Sequence, residues 1–245
     1  MTRLLIAGFA MMALMASAQA QGIDPGLFET PVDGSVASWI IRTFGLITVL
    51  SVAPGILIMV TSFPRLIIAF AILRAGMGLQ TTPANLILVS LALFMTFYIM
   101  APTFDRAWSE GVQPLMENEI DETEAIARIS DPFRDFMMAN TRDQDLNLFI
   151  DIATERGQTV ETDGEIDLRV LTPAFMISEI RRGFEIGFLI VLPFLVIDLV
   201  VATITMSMGM MMLPPTAISL PFKILFFVLI DGWNLLVGSL VRSFV

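Results

Sequence analysis

The chain has 245 residues, 56% of them hydrophobic, with a mean hydropathy of +0.79 and a formal net charge of −10. It has no cysteine and no histidine, which excludes disulfides, thiol nucleophiles and any zinc, copper or haem site built on those ligands. Such apolarity is unlike an ordinary soluble domain. Several runs exceed the roughly 18 residues that suggest a spanning helix, and they are continuous rather than alternating. The expected class is therefore an all-α helical membrane protein and not a β-barrel.

Residues 1–20 read as a cleaved signal peptide. Arg3 supplies the positive start, residues 4–15 the apolar core and Ala18-Gln-Ala20 a small-x-small cleavage site. An uncleaved anchor is the alternative, against which the core is short for a span. Residues 21–38, with Gly, Pro and Asp, form an exposed leader on the outer side.

Residues 39–104 read as a first helical hairpin, with apolar segments at 39–63 and 85–104. Arg42 stands near the outer end of the first segment, and Pro54-Gly55 marks a kink. The connection holds Arg65 and Arg74 and no acid between positions 61 and 85, so the positive-inside rule makes it cytoplasmic.

Residues 105–182 form an acidic region, placed in the periplasm by that count. Positions 105–169 carry 17 acids against six arginines, a balance of −11 that accounts for the whole negative excess. Such a surface disfavours nucleic acid and anionic lipid as partners. Positions 121–140 and 143–156 have the pattern of short amphipathic helices, with Thr123 or Asp143 as N-caps. The region reads as a small α-helical insert, too short for a large core.

Residues 183–245 read as a second helical hairpin, with apolar segments at 184–206 and 218–240. Gly183-x-x-x-Gly187 permits close helix packing. The connecting loop, 206–215, is Met206-Ser-Met-Gly-Met-Met-Met-Leu-Pro-Pro215, with methionine at five of its first seven positions. Pro214 and Pro215 are helix breaks, because proline lacks the amide donor and clashes with the preceding turn. The methionines read equally as core filler and as a deformable seal.

Asp198, Lys223 and Asp231 are ionisable groups inside apolar runs. Such a group at mid-bilayer costs at least about 2.5 kcal/mol and needs a partner or water. A hairpin turning at Pro214-Pro215 puts the two acids at similar depth, so each needs a donor: Lys223, or an arginine of another subunit. A structural contact and a transport role both stay open. No phosphate loop, serine elbow or HExxH motif is present, so nothing suggests an enzyme, and no cofactor is expected.

Larger blocks carry a resemblance. Ser62-Phe-Pro-Arg65 through Leu91-Ala-Leu-Phe-Met-Thr-Phe97, Asn140-Thr-Arg-Asp-Gln-Asp-Leu146, Asp198-Leu-Val-Val-Ala202, Met208-Gly-Met-Met-Met-Leu-Pro-Pro215, Leu220-Pro-Phe-Lys223 and Asp231-Gly-Trp-Asn-Leu-Leu-Val-Gly-Ser239 resemble the FliP/SctR family of type III secretion export-gate subunits. The resemblance covers residues 39–243. It implies a pore-forming subunit of the flagellar type III export gate, passing unfolded flagellar proteins across the bacterial inner membrane at the basal body. The virulence-type gate of the same family is an alternative, and a proton-coupled transporter using Asp198 and Asp231 is a rival from another class.

The resemblance further implies a homo-oligomeric ring assembled with FliQ and FliR, with FlhB at its base and FlhA nearby. It puts Met208, Met210, Met211 and Met212 on a pore gasket. Arg142, Glu179 and Lys223 fall at charged positions between subunits or along the passage. It also implies hairpins raised largely out of the bilayer plane, so that hydropathy marks helices buried against sister subunits as well as lipid-facing ones.

Overall fold

A computed structural model describes residues 60–157, 166–209 and 214–244, together with 43–45, 47–48, 51, 55–56 and 58–59. The signal peptide, the leader and part of the first apolar segment, Arg42 and Pro54 included, lie outside the described residues, as do Met210, Met211 and Met212. The chain divides into two units, 1–53 and 54–245, and the architecture below is that of the second.

Every element from residue 60 onward is helical among the described residues. Helix α1 (Phe63–Gly76) starts with proline in its first turn, where the missing amide costs no intrahelical bond. It ends where Gly78 takes a left-handed φ of 78°. Helix α2 (Asn85–Ala107) continues through a π-helical turn (Trp108–Val112) and one more α turn (Gln113–Met116). Helix α3 (Glu122–Asn140) and helix α4 (Asp143–Glu155) form the acidic insert. The cap of α3 is Asp121, whose Oδ1 accepts from the Glu124 N–H at 2.7 Å. The expected caps are thus corrected: Thr123 is the second residue of α3, inside its cap Asp121, and Asp143 is the first residue of α4, whose cap position is held by Arg142 with no side-chain cap bond.

Helix α5 (Leu168–Ser207) has 40 residues. At 1.5 Å per residue it is about 60 Å long, twice the hydrocarbon thickness, so it must project well beyond any bilayer it crosses. The boundary drawn at 182/183 falls inside it. The change in hydropathy there is a change of surroundings along one rod and not a break in the fold. Helix α6 (Pro215–Leu229) and helix α7 (Gly232–Arg242) follow, bent by 63° at Ile230–Asp231. Asp231 therefore stands at a break and not within a continuous fourth segment. Among the described residues two helices, α2 with its extension and α5, are long and apolar enough to cross a membrane; a third span results if α6–α7 counts as one.

The centre of this unit is α1 against α5. A Cβ on Gly183 would lie 3.1 Å from the Arg65 carbonyl, one on Gly187 2.8 Å from Ile72, and one on Gly76 2.3 Å from Val191. Rising numbers on one helix match rising numbers on the other, so the two run parallel. The Gly183-x-x-x-Gly187 pattern does permit close approach, and Gly76 adds a third small residue from the opposite side. Around this seam Leu66, Phe70 and Leu73 of α1 pack with Leu88 and Ala92 of α2, Phe194 of α5, Phe227 of α6, and Leu236 and Leu240 of α7. Fully burying each large side chain contributes about 1.5–3 kcal/mol.

Positions 66–73, read from sequence as part of a cytoplasmic connection, thus lie on a helix at the centre of the core, with Leu66, Ala69, Phe70 and Leu73 buried. The parallel register puts Arg65 at the insert end of α1 and leaves only Arg74 beside the 77–84 loop. Of the two arginines expected to mark that loop as cytoplasmic, Arg65 is buried at the far end of α1. A second, smaller core of Met137, Leu171 and Phe175 joins the insert to the start of α5.

Replacing Gly183 by valine should lower stability by about 1–3 kcal/mol, because the neighbouring atom is a backbone carbonyl that cannot rotate away. Gly238 has nothing within 4 Å of an added Cβ, so Gly238→Ala should be neutral or gain up to about 1 kcal/mol of helix propensity. Thermal unfolding of the detergent-solubilised protein compares the two.

Candidate functional site

Polar groups inside this apolar unit gather at two places, one at each end of α1. At the insert end the Arg65 and Glu179 side chains are both 0% exposed. Arg65 Nε donates to Glu179 Oε2 at 3.0 Å, and Nη2 to Glu179 Oε1. Nη1 donates to the Ser243 carbonyl at 2.9 Å and to its hydroxyl at 2.8 Å, and Nη2 reaches Asn140 Oδ1 at 3.3 Å. The Phe244 ring lies under the guanidinium, 3.6 Å from its central carbon, in cation–π contact. Five hydrogen bonds thus tie α1 to α5, to the last residue of α3 and to the turn after α7. Burial draws the Arg65 pKa below its ordinary value, and the hydrogen bond and charge of Glu179 oppose that shift.

At the other end Lys223 Nζ donates to Asp198 Oδ2 at 2.5 Å and to the Gly76 carbonyl at 3.0 Å. The Ser219 hydroxyl donates to Asp198 Oδ1 at 2.5 Å. Lys223 is 3% exposed and Asp198 30%. This clamp joins α5, α6 and the last carbonyl of α1. It sits nine residues before the end of α5, on the side from which the methionine-rich loop leaves.

The remaining expected residues fall in different surroundings. Asp231 is exposed, has φ 52° and ψ 52°, and accepts from Asn234 Nδ2 at 3.1 Å. The two acids expected at similar depth with similar needs are therefore unlike: Asp198 is paired with a lysine, and Asp231 shapes a helix break. Arg142 is half-buried; its backbone N–H donates to Ser178 Oγ at 3.1 Å and its Nη2 to Gln144 at 3.2 Å. Ser178 in turn donates to Asp145 at 2.7 Å, which pins α4 to α5. Pro214 caps α6 and Pro215 is its first residue, so the pair acts as a helix start as well as a stop. Met208 follows α5 directly and is exposed.

From sequence Arg65 counts only as a charge of the cytoplasmic connection and not as a site residue. The signal that finds it is the rule applied to Asp198: a charge beside an apolar run needs a partner. Glu179 meets that need from 114 positions away, a distance no local pattern spans.

Outside these clamps the long helices present Phe94, Tyr98, Phe188, Leu199, Leu225 and Val228 to their surroundings. Contiguous apolar surface of this kind belongs to a membrane protein whose helices are covered by lipid or by other chains. The chain is a member of the FliP family, whose sequence model matches residues 46–240. It is 78% identical over 236 residues to the flagellar biosynthetic protein FliP of Rhizobium meliloti (strain 1021), covering 96% of each chain. It is 72% identical over 244 residues to that of Agrobacterium fabrum (strain C58 / ATCC 33970), covering 100% of both. With that of Bacillus subtilis (strain 168) the identity is 51% over 199 residues, 81% of this chain and 89% of the other.

Removing one partner of a buried pair leaves an uncompensated charge. Arg65→Ala should therefore cost about 3–5 kcal/mol, and the double change Arg65→Met with Glu179→Met should recover most of that. Asp198→Asn, at the partly exposed clamp, should cost less than Arg65→Ala. The midpoint of denaturant unfolding in a fixed detergent orders the three variants.

Proposed function

We propose that this chain is a pore-forming subunit of the flagellar type III protein export gate, passing unfolded flagellar proteins across the bacterial inner membrane. The observation that carries the reading is membership of the FliP family over residues 46–240, a span containing almost all of the helical unit. The apolar outer faces of α2, α5 and α6 support it: they are the surfaces a ring of copies, FliQ, FliR and lipid would cover. FlhB and FlhA are the further expected partners. The acidic insert lies at the end of α5 opposite the methionine-rich loop, which supports a periplasmic insert and an inward-facing loop.

In this reading Met208, Met210, Met211 and Met212 form the gasket. Unbranched thioether side chains pack against one another at rest, exclude water and ions, and repack around a moving chain. The sequence holds no nucleotide-binding motif, so the driving energy comes from elsewhere in the apparatus. The proton-carrier rival is weakened by the pairing of Asp198 with Lys223, which leaves that acid no vacant role as a lone carrier.

Replacing Met210, Met211 and Met212 by alanine should raise ion leak through the closed gate while some export continues. Conductance of the purified complex in a planar bilayer reads this directly, and an unchanged closed state sinks the seal. Native mass of the same preparation should show a discrete ring.

A further inference from the structure

The bent pair α6–α7 meets the rest of the unit through contacts of different character, α6 through Ser219, Lys223 and the Phe226 and Phe227 rings against Phe194 of α5, and α7 through its leucines and the residues after it. The three buried residues of α6 are Ser219, Lys223 and Phe227. Two of these are polar, and both are tied to Asp198. Only Phe227 is apolar, and it lies in the last turn before the bend. The buried residues of α7 are Gly232, Leu236 and Leu240, and the two leucines are 0% exposed. Beyond them the Ser243 carbonyl and hydroxyl and the Phe244 ring are held by Arg65. Phe244 also stacks on Phe136 of the insert, with ring centroids 5.9 Å apart.

The enclosure of the two fastenings differs in the same sense. The Arg65 and Glu179 side chains are wholly enclosed within this chain. Asp198 keeps 30% of its side chain outside the packing of this chain, so its pair with Lys223 is held by fewer surrounding groups. Between the fastenings the helix is interrupted: Asp231 is left-handed, a conformation that non-glycine residues seldom adopt. A Cβ on the next residue, Gly232, would sit 2.3 Å from the Phe227 ring, so the bend is packed for a glycine.

We infer that α6 is a lever hinged at Ile230–Asp231, which releases at the Lys223–Asp198 pair while α7 stays clasped by Arg65. This goes beyond the gate reading, and within that reading it frees the helix that follows the methionine-rich loop. Lys223 and Asp198 are then positioning residues that hold the lever shut, and Arg65 is the fixed anchor.

The chain has no cysteine, so single cysteines report opening without background. Ser219 and Leu240 are both 0% exposed, one on the lever and one on the anchored helix. In the purified, assembled full-length protein the Ser219→Cys variant should react with a maleimide at least about tenfold faster than the Leu240→Cys variant. Adding Lys223→Met should speed labelling at position 219 and leave position 240 unchanged; adding Phe244→Ala should do the converse. Equal labelling rates, or one substitution speeding both positions alike, would mean that α6 and α7 move as one body and would overturn the inference. Should Lys223→Met fail to assemble, the Phe244→Ala arm still decides, because the lever predicts no change at position 219. Bilayer conductance keeps the two readings apart: no added leak on replacing Met210, Met211 and Met212 by alanine, with the labelling order intact, counts against the gate alone, and added leak with equal labelling counts against the lever alone.

Discussion

A guanidinium shut away from water must find every acceptor within the protein, and Arg65 finds them on two other helices and the turn after α7. Glu179 supplies the charge, Asn140 and Ser243 the remaining oxygens, and Phe244 the aromatic face. Each of these groups has to arrive for the burial of Arg65 to be tolerated, since an ion left unpaired in such surroundings is strongly destabilising. The clasp therefore specifies more than it stabilises. It sets where α3 ends against α1, how far α5 slides along it, and where the chain comes to rest after α7.

The seam between α1 and α5 makes that clasp reachable. Gly183 and Gly187 remove side chains on the α5 face, and Gly76 removes one from α1. The backbones come close enough for Glu179 to meet Arg65 at one end and for Lys223 to reach the Gly76 carbonyl at the other. Close packing of small residues is favourable where apolar burial alone gives no drive, as in lipid. The two clamps then differ in how completely the chain encloses them, and that difference gives the α6–α7 pair a firm end and a yielding end.

Much of this was legible beforehand. Continuous apolar runs and missing cysteine and histidine settle the class, and the acidic balance of 105–169 marks the insert. The motif blocks around Asp198, Lys223 and Asp231 indicate the family. The errors lie where local patterns compete with distant contacts. Residues 66–73, bracketed by two arginines, read as a connection because hydropathy weighs a charge by its neighbours in sequence. Arg65 is neutralised instead by Glu179, 114 positions away. The fourth apolar segment looks unbroken because Ile230-Asp231-Gly232 costs hydropathy only one acid, whereas the chain bends there by 63°.

Sequence alone determined that this is an all-α membrane protein with an acidic stretch and a methionine-rich loop, because those properties follow from composition and period. Tertiary structure alone decided which charges are partners and which helix is central. A buried ion is stable only beside its counterion, and counterions on separate helices are brought together by packing and not by spacing along the chain. Hence Asp198 and Asp231, equivalent on paper, became one half of a clamp and the pivot of a bend.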